Sequence, residues 1–248
     1  MASDRIYLCG PLVAVLGGRR VEGLLPGRQG RLALAYLVLN RDRPVERGRL
    51  VEALWPDGPP ADPETSLSSI LSKMRKAVAP TGLGGRGSIR LELPGDTWID
   101  LDAATEAMHR AESAASTGRY HDAWSPARVT LHITARGFLT DFEAPWIDET
   151  RARVEELHLR ALECYGDACL AIAGTEIDGA RRCGHALVTR SPYRESGYRI
   201  LMRAMAAAGN PAESLRLYET LRARLSDDLG ATPSPETRKL HEEILRRG

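Results

Sequence analysis

The sequence predicts an α+β N-terminal part followed by an all-α C-terminal part. Segments of β-rich character, broken by Gly-Pro and Gly-Gly, are confined to residues 5–25 and 88–93, on either side of three helical patterns. From Asp102 the strand signals stop and helical periodicity runs to the end of the chain. A length of 248 residues allows two small domains with proper cores, here 1–101 and 102–248.

Arg5–Leu16 reads as β structure interrupted at Gly10-Pro11. Gly17-Gly18 is a hairpin signal, and Arg19–Leu25 is expected to return as a strand ended by Pro26-Gly27. Arg28–Leu39 is apolar on most sides, as a core helix would be. A charged loop, Arg41-Asp-Arg-Pro44, leads to a second helix expected over Val45–Trp55. Pro56-Asp-Gly-Pro-Pro60 cannot be helical. Asp62-Pro63 supplies an N-cap followed by proline at the first helical position, so a third helix starts there. Pro80 and the glycine-rich tract 82–87 follow it, and Ser88–Leu93 alternates as a strand with Ser88, Arg90 and Glu92 outward.

The third helix is the most informative stretch. Leu67, Ile70, Leu71, Met74, Ala77 and Val78 form one apolar face at helical spacing. Thr65, Ser69, Ser72 and Lys76 lie opposite, with Ser68, Lys73 and Arg75 on the shoulders, and no carboxylate follows Glu64. Short hydroxyls let a helix sit deep in a groove, and cations reach phosphates or guanine edges. Taken alone, the pattern equally fits an ordinary amphipathic surface helix.

Charge is unevenly placed. Residues 1–101 carry 14 Lys+Arg against 11 Asp+Glu, the remainder 20 against 22, so the net +1 conceals a mildly basic first part. Eight arginines and three acids lie between Arg19 and Arg49, which suits a small phosphate footprint as well as a solvated surface. Strands, three helices and a glycine-rich hairpin bearing Arg86 and Arg90 follow the layout of a winged helix-turn-helix, whose third helix enters the major groove while the hairpin lies along the backbone or minor groove.

In the C-terminal half, helices are expected over Thr105–Thr117, from about residue 123, and over 146–173. Ala173–Ala180 resembles Ala208–Leu215 at an offset of 35 residues, and Ser191-Pro192 and Ser234-Pro235 each open a helix. Helix pairs at a period near 34 with small residues at the crossings point to tetratricopeptide-like packing rather than a plain bundle.

Catalytic motifs are absent. Residues 82–87 fail as a dinucleotide loop because no strand leads in and no helix follows, and there is no phosphate-loop lysine motif or nucleophile elbow. Six histidines are scattered through the helical half. A metal site at His158, Cys164 and Cys169 does not match the usual zinc spacing, and neither metal nor cofactor is implied. The four cysteines form no CxxC, and with no signal peptide or long apolar run the chain reads as cytoplasmic, off the membrane, with reduced thiols.

Cys9-Gly-Pro-Leu12, Arg28-Gln-Gly-Arg31, Leu50-Val-Glu-Ala-Leu-Trp-Pro56, Leu71-Ser-Lys-Met-Arg-Lys76 and Ile89-Arg-Leu91 resemble the OmpR-type DNA-binding domain of the Streptomyces antibiotic regulatory protein (SARP) family. Gly137-Phe-Leu139, Ala144-Pro-Trp-Ile147, Arg160-Ala-Leu-Glu163, Ser191-Pro-Tyr-Arg-Glu195, Leu201-Met202, Ala208-Gly-Asn210 and Asp228-Leu-Gly-Ala-Thr-Pro-Ser-Pro235 resemble the bacterial transcriptional activator domain that follows it. The sequence departs from the family at Glu64-Thr65, where an Arg-Asn-like pair is common, and at Ser88-Ile89, where Gly-Tyr is usual.

The resemblance implies a transcription activator that binds direct repeats in double-stranded DNA as a pair of protomers and contacts RNA polymerase. Thr65, Ser68, Ser69, Ser72 and Lys76 are then expected at base edges. Lys73, Arg75, Arg86 and Arg90 are expected on phosphates or in the minor groove, with Arg28, Arg47 and Arg49 as weaker phosphate candidates. Arg41, Asp42 and Arg43 form the loop through which OmpR-type domains can meet polymerase. Larger members carry a following ATPase or phosphopeptide-binding domain; with Gly248 as the last residue, neither is expected here. The alternative is a helical-repeat interaction module whose winged domain does not bind DNA.

Overall fold

The computed structural model describes residues 4–79 and 81–247. Pro80, read as the break after the third helix, and Gly248 lie outside the described residues. The chain forms two compact units, one of residues up to 104 together with 133–155, the other of 105–132 with 156–248. A single cut at residue 101 does not anticipate this interleaving, because the returning segment 133–155 carries no strand or repeat signal of its own.

The first unit holds two sheets and three helices. The strands β1 (Arg5–Tyr7), β2 (Val13–Leu16), β3 (Arg19–Arg20) and β7 (Trp98–Ile99) form a sheet in the order β3-β2-β1-β7. β1 pairs antiparallel with β2 and parallel with β7. The expected return strand Arg19–Leu25 is only two residues long, and a 3-10 turn over Glu22–Leu24 replaces the rest. Glu22 turns its carboxylate onto the Ala14 amide at 3.2 Å and pairs with Arg20, so a side chain takes the place of a ladder bond.

Helix α1 (Gly27–Leu39) is buried through Leu32, Ala33, Leu34, Ala35, Leu37 and Val38, as its all-round apolar pattern requires. The second helix is shorter than expected. Val45 and Glu46 form strand β4, and α2 covers only Arg47–Leu54. Pro44 fixes an extended entry, and β4 then finds a partner in β6 (Ser88–Glu92), with Val45 opposite Ile89. Helix α3 (Pro63–Ala77) starts as the sequence predicts. Asp62 caps it by accepting the Thr65 amide at 2.9 Å, and that bond holds the Asp62 pKa below the ordinary carboxylate value. Strand β5 (Gly82–Gly84) completes the second sheet, in the order β4-β6-β5.

Asp100, the first residue of α4 (Asp100–Ser116), is fully buried. Its carboxylate accepts the amides of Leu8 at 2.8 Å and Cys9 at 3.0 Å and meets Arg136 at 3.3 Å. Burial still outweighs these bonds and raises its pKa above the ordinary 3.8. The helix thus begins five residues before the expected Thr105. After α5 (Tyr120–Thr134) the returning segment packs into this unit. Gly10 N–H bonds Gly137 O at 2.7 Å, and Leu139 N–H bonds Leu8 O at 2.9 Å. At the start of α6 (Pro145–Ile172), the Trp146 indole donates to Ala53 O at 3.1 Å and packs edge-on to Tyr36. Arg151 donates to the carbonyls of Phe138, Leu139 and Phe142, fixing the loop that carries two core phenylalanines.

The second unit is helical. After a 3-10 turn over Gly174–Glu176 come α7 (Ile177–Arg190), α8 (Glu195–Ala207), α9 (Pro211–Leu229) and α10 (Pro235–Arg247). α7 and α8 cross through glycines. A Cβ on Gly184 would lie 2.7 Å from Leu201 Cβ and 2.8 Å from the Leu201 backbone nitrogen, and one on Gly197 would lie 2.6 Å from Leu187 Cβ. Arg194 joins α8 to α6 through Glu156 and Glu163. All four cysteines are free and buried, with burial raising Cys9 and Cys183 to about 12 and Cys164 and Cys169 to about 11. Among the described residues no His/Cys/Asp/Glu group could hold a metal ion, and no helix is long and apolar enough to cross a membrane.

Gly184→Ala must push backbone away from backbone, so it is expected to lower stability by about 2 kcal/mol in a urea melt. Asp100 makes a second expectation. Because its folded pKa is raised, the native state keeps a proton that the unfolded chain releases above pH 3.8. Its contribution to stability therefore falls as pH rises from that value through the raised pKa, and Asp100→Asn should remove this slope from the unfolding free energy.

Candidate nucleic-acid interface

The polar face of α3 is built by the burial of the opposite one. Leu67, Leu71, Met74, Ala77 and Val78 are in the core, and Ile70 is half-buried. At about 1.5–3 kcal/mol for each large apolar side chain fully buried, this fixes the rotation of the helix far more strongly than any surface ion pair. Thr65, Ser68, Ser69, Ser72, Lys73, Arg75 and Lys76 are all exposed in consequence. Beyond Glu64 the face carries no carboxylate as far as Ala77.

The hairpin beside it is tight at one point. Gly85 has φ +95°, and a Cβ there would lie 1.8 Å from Ser88 O, so only glycine fits. β5 and β6 pair antiparallel, with Leu83 opposite Leu91 and Gly84 opposite Arg90. Leu83, Ile89 and Leu91 point into the core, while Arg86 in the turn and Arg90 on β6 are exposed.

The expected contact residues divide into free and engaged ones. Among the described residues, Ser69, Ser72, Lys73, Lys76, Arg86 and Arg90 make no side-chain hydrogen bond or ion pair. Thr65 bonds the capping Asp62 through its hydroxyl as well as its amide. Arg75 donates to Leu83 O at 3.0 Å and Gly85 O at 3.2 Å, locking the hairpin to the helix. Arg47 reaches from α2 to Glu64 at 2.7 Å and to the Ser68 hydroxyl at 2.8 Å. Arg28 donates to Glu143 O at 2.9 Å, with its guanidinium 6.0 Å from the Phe142 ring centre. Arg49 is exposed. In the 41–43 loop, Arg41 pairs with Asp102 at 2.6 Å and donates to Val38 O, whereas Asp42 and Arg43 are exposed.

One residue that sequence reasoning missed is Arg19. Its guanidinium donates to Ala77 O and Ala79 O, both at 3.2 Å, so it satisfies carbonyls at the C-terminal end of α3. No local signal could have found it, since 58 residues separate Arg19 from Ala77.

The bacterial transcriptional activator domain model matches residues 99–245. The transcriptional regulatory protein EmbR of Mycobacterium tuberculosis is 31% identical over 97% of this chain, which spans 63% of the length of EmbR. The regulatory protein DnrI of Streptomyces peucetius is 27% identical over 98% of this chain and 92% of DnrI. The regulatory protein AfsR of Streptomyces coelicolor is 29% identical over 98% of this chain but only 24% of AfsR. A solved structure of Mycobacterium tuberculosis EmbR, in complex with a low affinity phosphopeptide, matches at a TM-score of 0.85 and 27% identity, over 98% of this chain and 65% of that one.

Arg75→Ala is expected to release the hairpin from α3 while leaving the helix folded. Amide hydrogen exchange in residues 83–91 should accelerate by about tenfold, the equivalent of losing about one hydrogen bond to a charged donor, and exchange in residues 67–77 should not change.

Proposed function

The chain belongs to the bacterial transcriptional activator domain family, as a regulator of the SARP type, and from that premise we propose that it binds specific duplex DNA. The first unit is read as an OmpR-type winged helix, with α3 entering the major groove and the β5–β6 hairpin lying along the backbone or the adjacent minor groove. The observation that carries this reading is the exposed face of α3, which from Thr65 to Lys76 offers hydroxyls and three cations with no carboxylate.

On α3 Ser69, Ser72 and Lys76 are the free base-edge candidates, and Lys73 on the helix with Arg86 and Arg90 on the hairpin are the free phosphate candidates. Thr65 and Arg75 keep a role in positioning because their polar groups already have partners, while Ser68 accepts from Arg47 and retains its hydroxyl proton for donation. The regulator acts as an activator, with two protomers on a direct repeat. Polymerase meets the 41–43 loop mainly through Asp42 and Arg43, since Arg41 is held by Asp102. The second unit is read as a tetratricopeptide-like scaffold for pairing and partner contact. α7 and α9 begin at residues 177 and 211, a spacing of 34, and glycines let α7 and α8 approach closely.

The test is selection of duplexes from a random library, followed by gel shift. Lys76→Ala should weaken the selected site by about tenfold and unrelated duplex hardly at all. Arg90→Ala should weaken both and lower the slope of log K against log salt by about one. Unchanged affinity and slope in both variants would overturn this contact assignment. A wild-type chain that enriches no duplex at any salt would favour the second reading, an interaction module that does not bind DNA, for which the exposed Glu64 at the start of α3 speaks.

A further inference from the structure

Glu64 opens α3 with a side chain that is 64% exposed, yet it is not loose. One carboxylate oxygen is held by Arg47 Nε at 2.7 Å, and Arg47 itself is only 20% exposed. The same guanidinium donates to the Ser68 hydroxyl oxygen at 2.8 Å and to the Glu64 carbonyl at 3.4 Å. One half-buried arginine from α2 therefore sets two side chains one helical turn apart.

The chemistry of the arrangement is directional. Ionised Glu64 only accepts hydrogen bonds, and Arg47 leaves its second carboxylate oxygen, Oε1, open. Ser68 already accepts from Arg47, so its own O–H proton is free to be given elsewhere. Arg47 also offsets the negative charge that would otherwise repel nearby phosphates. Glu64, Ser68, Ser72 and Lys76 lie along one i, i+4 row, so the acceptor leads the same ridge that carries the free contact residues.

This deepens, and rests on, the DNA-binding reading above. We propose that Glu64, oriented by Arg47, is a specificity-determining residue that selects cytosine by accepting its N4 amino group in the major groove, with the Ser68 hydroxyl donating to an adjacent acceptor. A carboxylate matches the amino edge of cytosine and rejects the acceptor edges of guanine and thymine. Arg47 is the positioning residue. It leaves the phosphate candidates and becomes the group that fixes where the acceptor points.

The experiment repeats the duplex selection with the full chain and with Glu64→Gln, Arg47→Ala and Ser68→Ala, each checked for folding by thermal melt. The wild type should enrich cytosine at one fixed position of each half-site. Glu64→Gln should move that position toward adenine, which an amide pairs with better, with about a tenfold loss of preference for cytosine there and little change elsewhere. Arg47→Ala should blur the same position without shifting it toward adenine. Ser68→Ala should relax the neighbouring position. An identical selected sequence with Glu64→Gln would reduce the pair to a surface ion pair. A uniform gain in affinity at all sequences would make Glu64 merely repulsive, and either result overturns the inference. Failure of the wild type to enrich any duplex would instead overturn the DNA-binding reading itself.

Discussion

Everything on the candidate surface depends on how α3 is held. Its apolar side chains bury against the core, and that burial, worth several kcal/mol in sum, decides which face is left to solvent. Three arginines then fix the helix along its length. Arg47 grips Glu64 and Ser68 at the start, Arg75 ties the body of the helix to the hairpin, and Arg19 satisfies carbonyls at its end. Each such bond adds little stability where water competes, but together they set the register of helix against hairpin. Their own charge is used inside the unit, so among the described residues the cations left over on α3 and the hairpin are Lys73, Lys76, Arg86 and Arg90.

A second constraint sits at Asp100. A buried carboxylate must find donors, and here two backbone amides and a guanidinium converge on it. Those donors come from the stretch after β1 and from the returning segment 133–155. The segment then contributes Phe138, Leu139, Phe142 and Ile147 to the core that backs α1. The family whose model matches residues 99–245 is thus represented in both units of this chain, because part of the matched region is core material for the first.

Much of this was legible from the residues. The Asp62-Pro63 cap, the apolar spacing of α3 and the outward Arg90 each rest on local chemistry and stand where the residues predict them, whereas half of the glycine-rich tract 82–87 is strand, Gly82–Gly84 forming β5. The misreadings share one cause. Val45-Glu46 looked helical and is a strand because β6, more than 40 residues away, offers it a ladder. Trp98-Ile99 gave no strand signal and pairs with β1 across the whole first unit. Arg19–Leu25 lost its return strand to the Glu22 carboxylate, a competition that periodicity cannot register.

By itself, the sequence determined which residue types stand on each face of α3, since side-chain chemistry and helical spacing are local properties. Only the tertiary structure decided which of those residues are at liberty. A guanidinium has several donors and will fill them with whatever carbonyls and carboxylates folding brings near. Arg28, Arg41, Arg47 and Arg75 therefore became struts through partners that no spacing rule connects to them. The same long-range packing turned Glu64 from an apparent departure at the edge of the helix into an acceptor held in a defined direction.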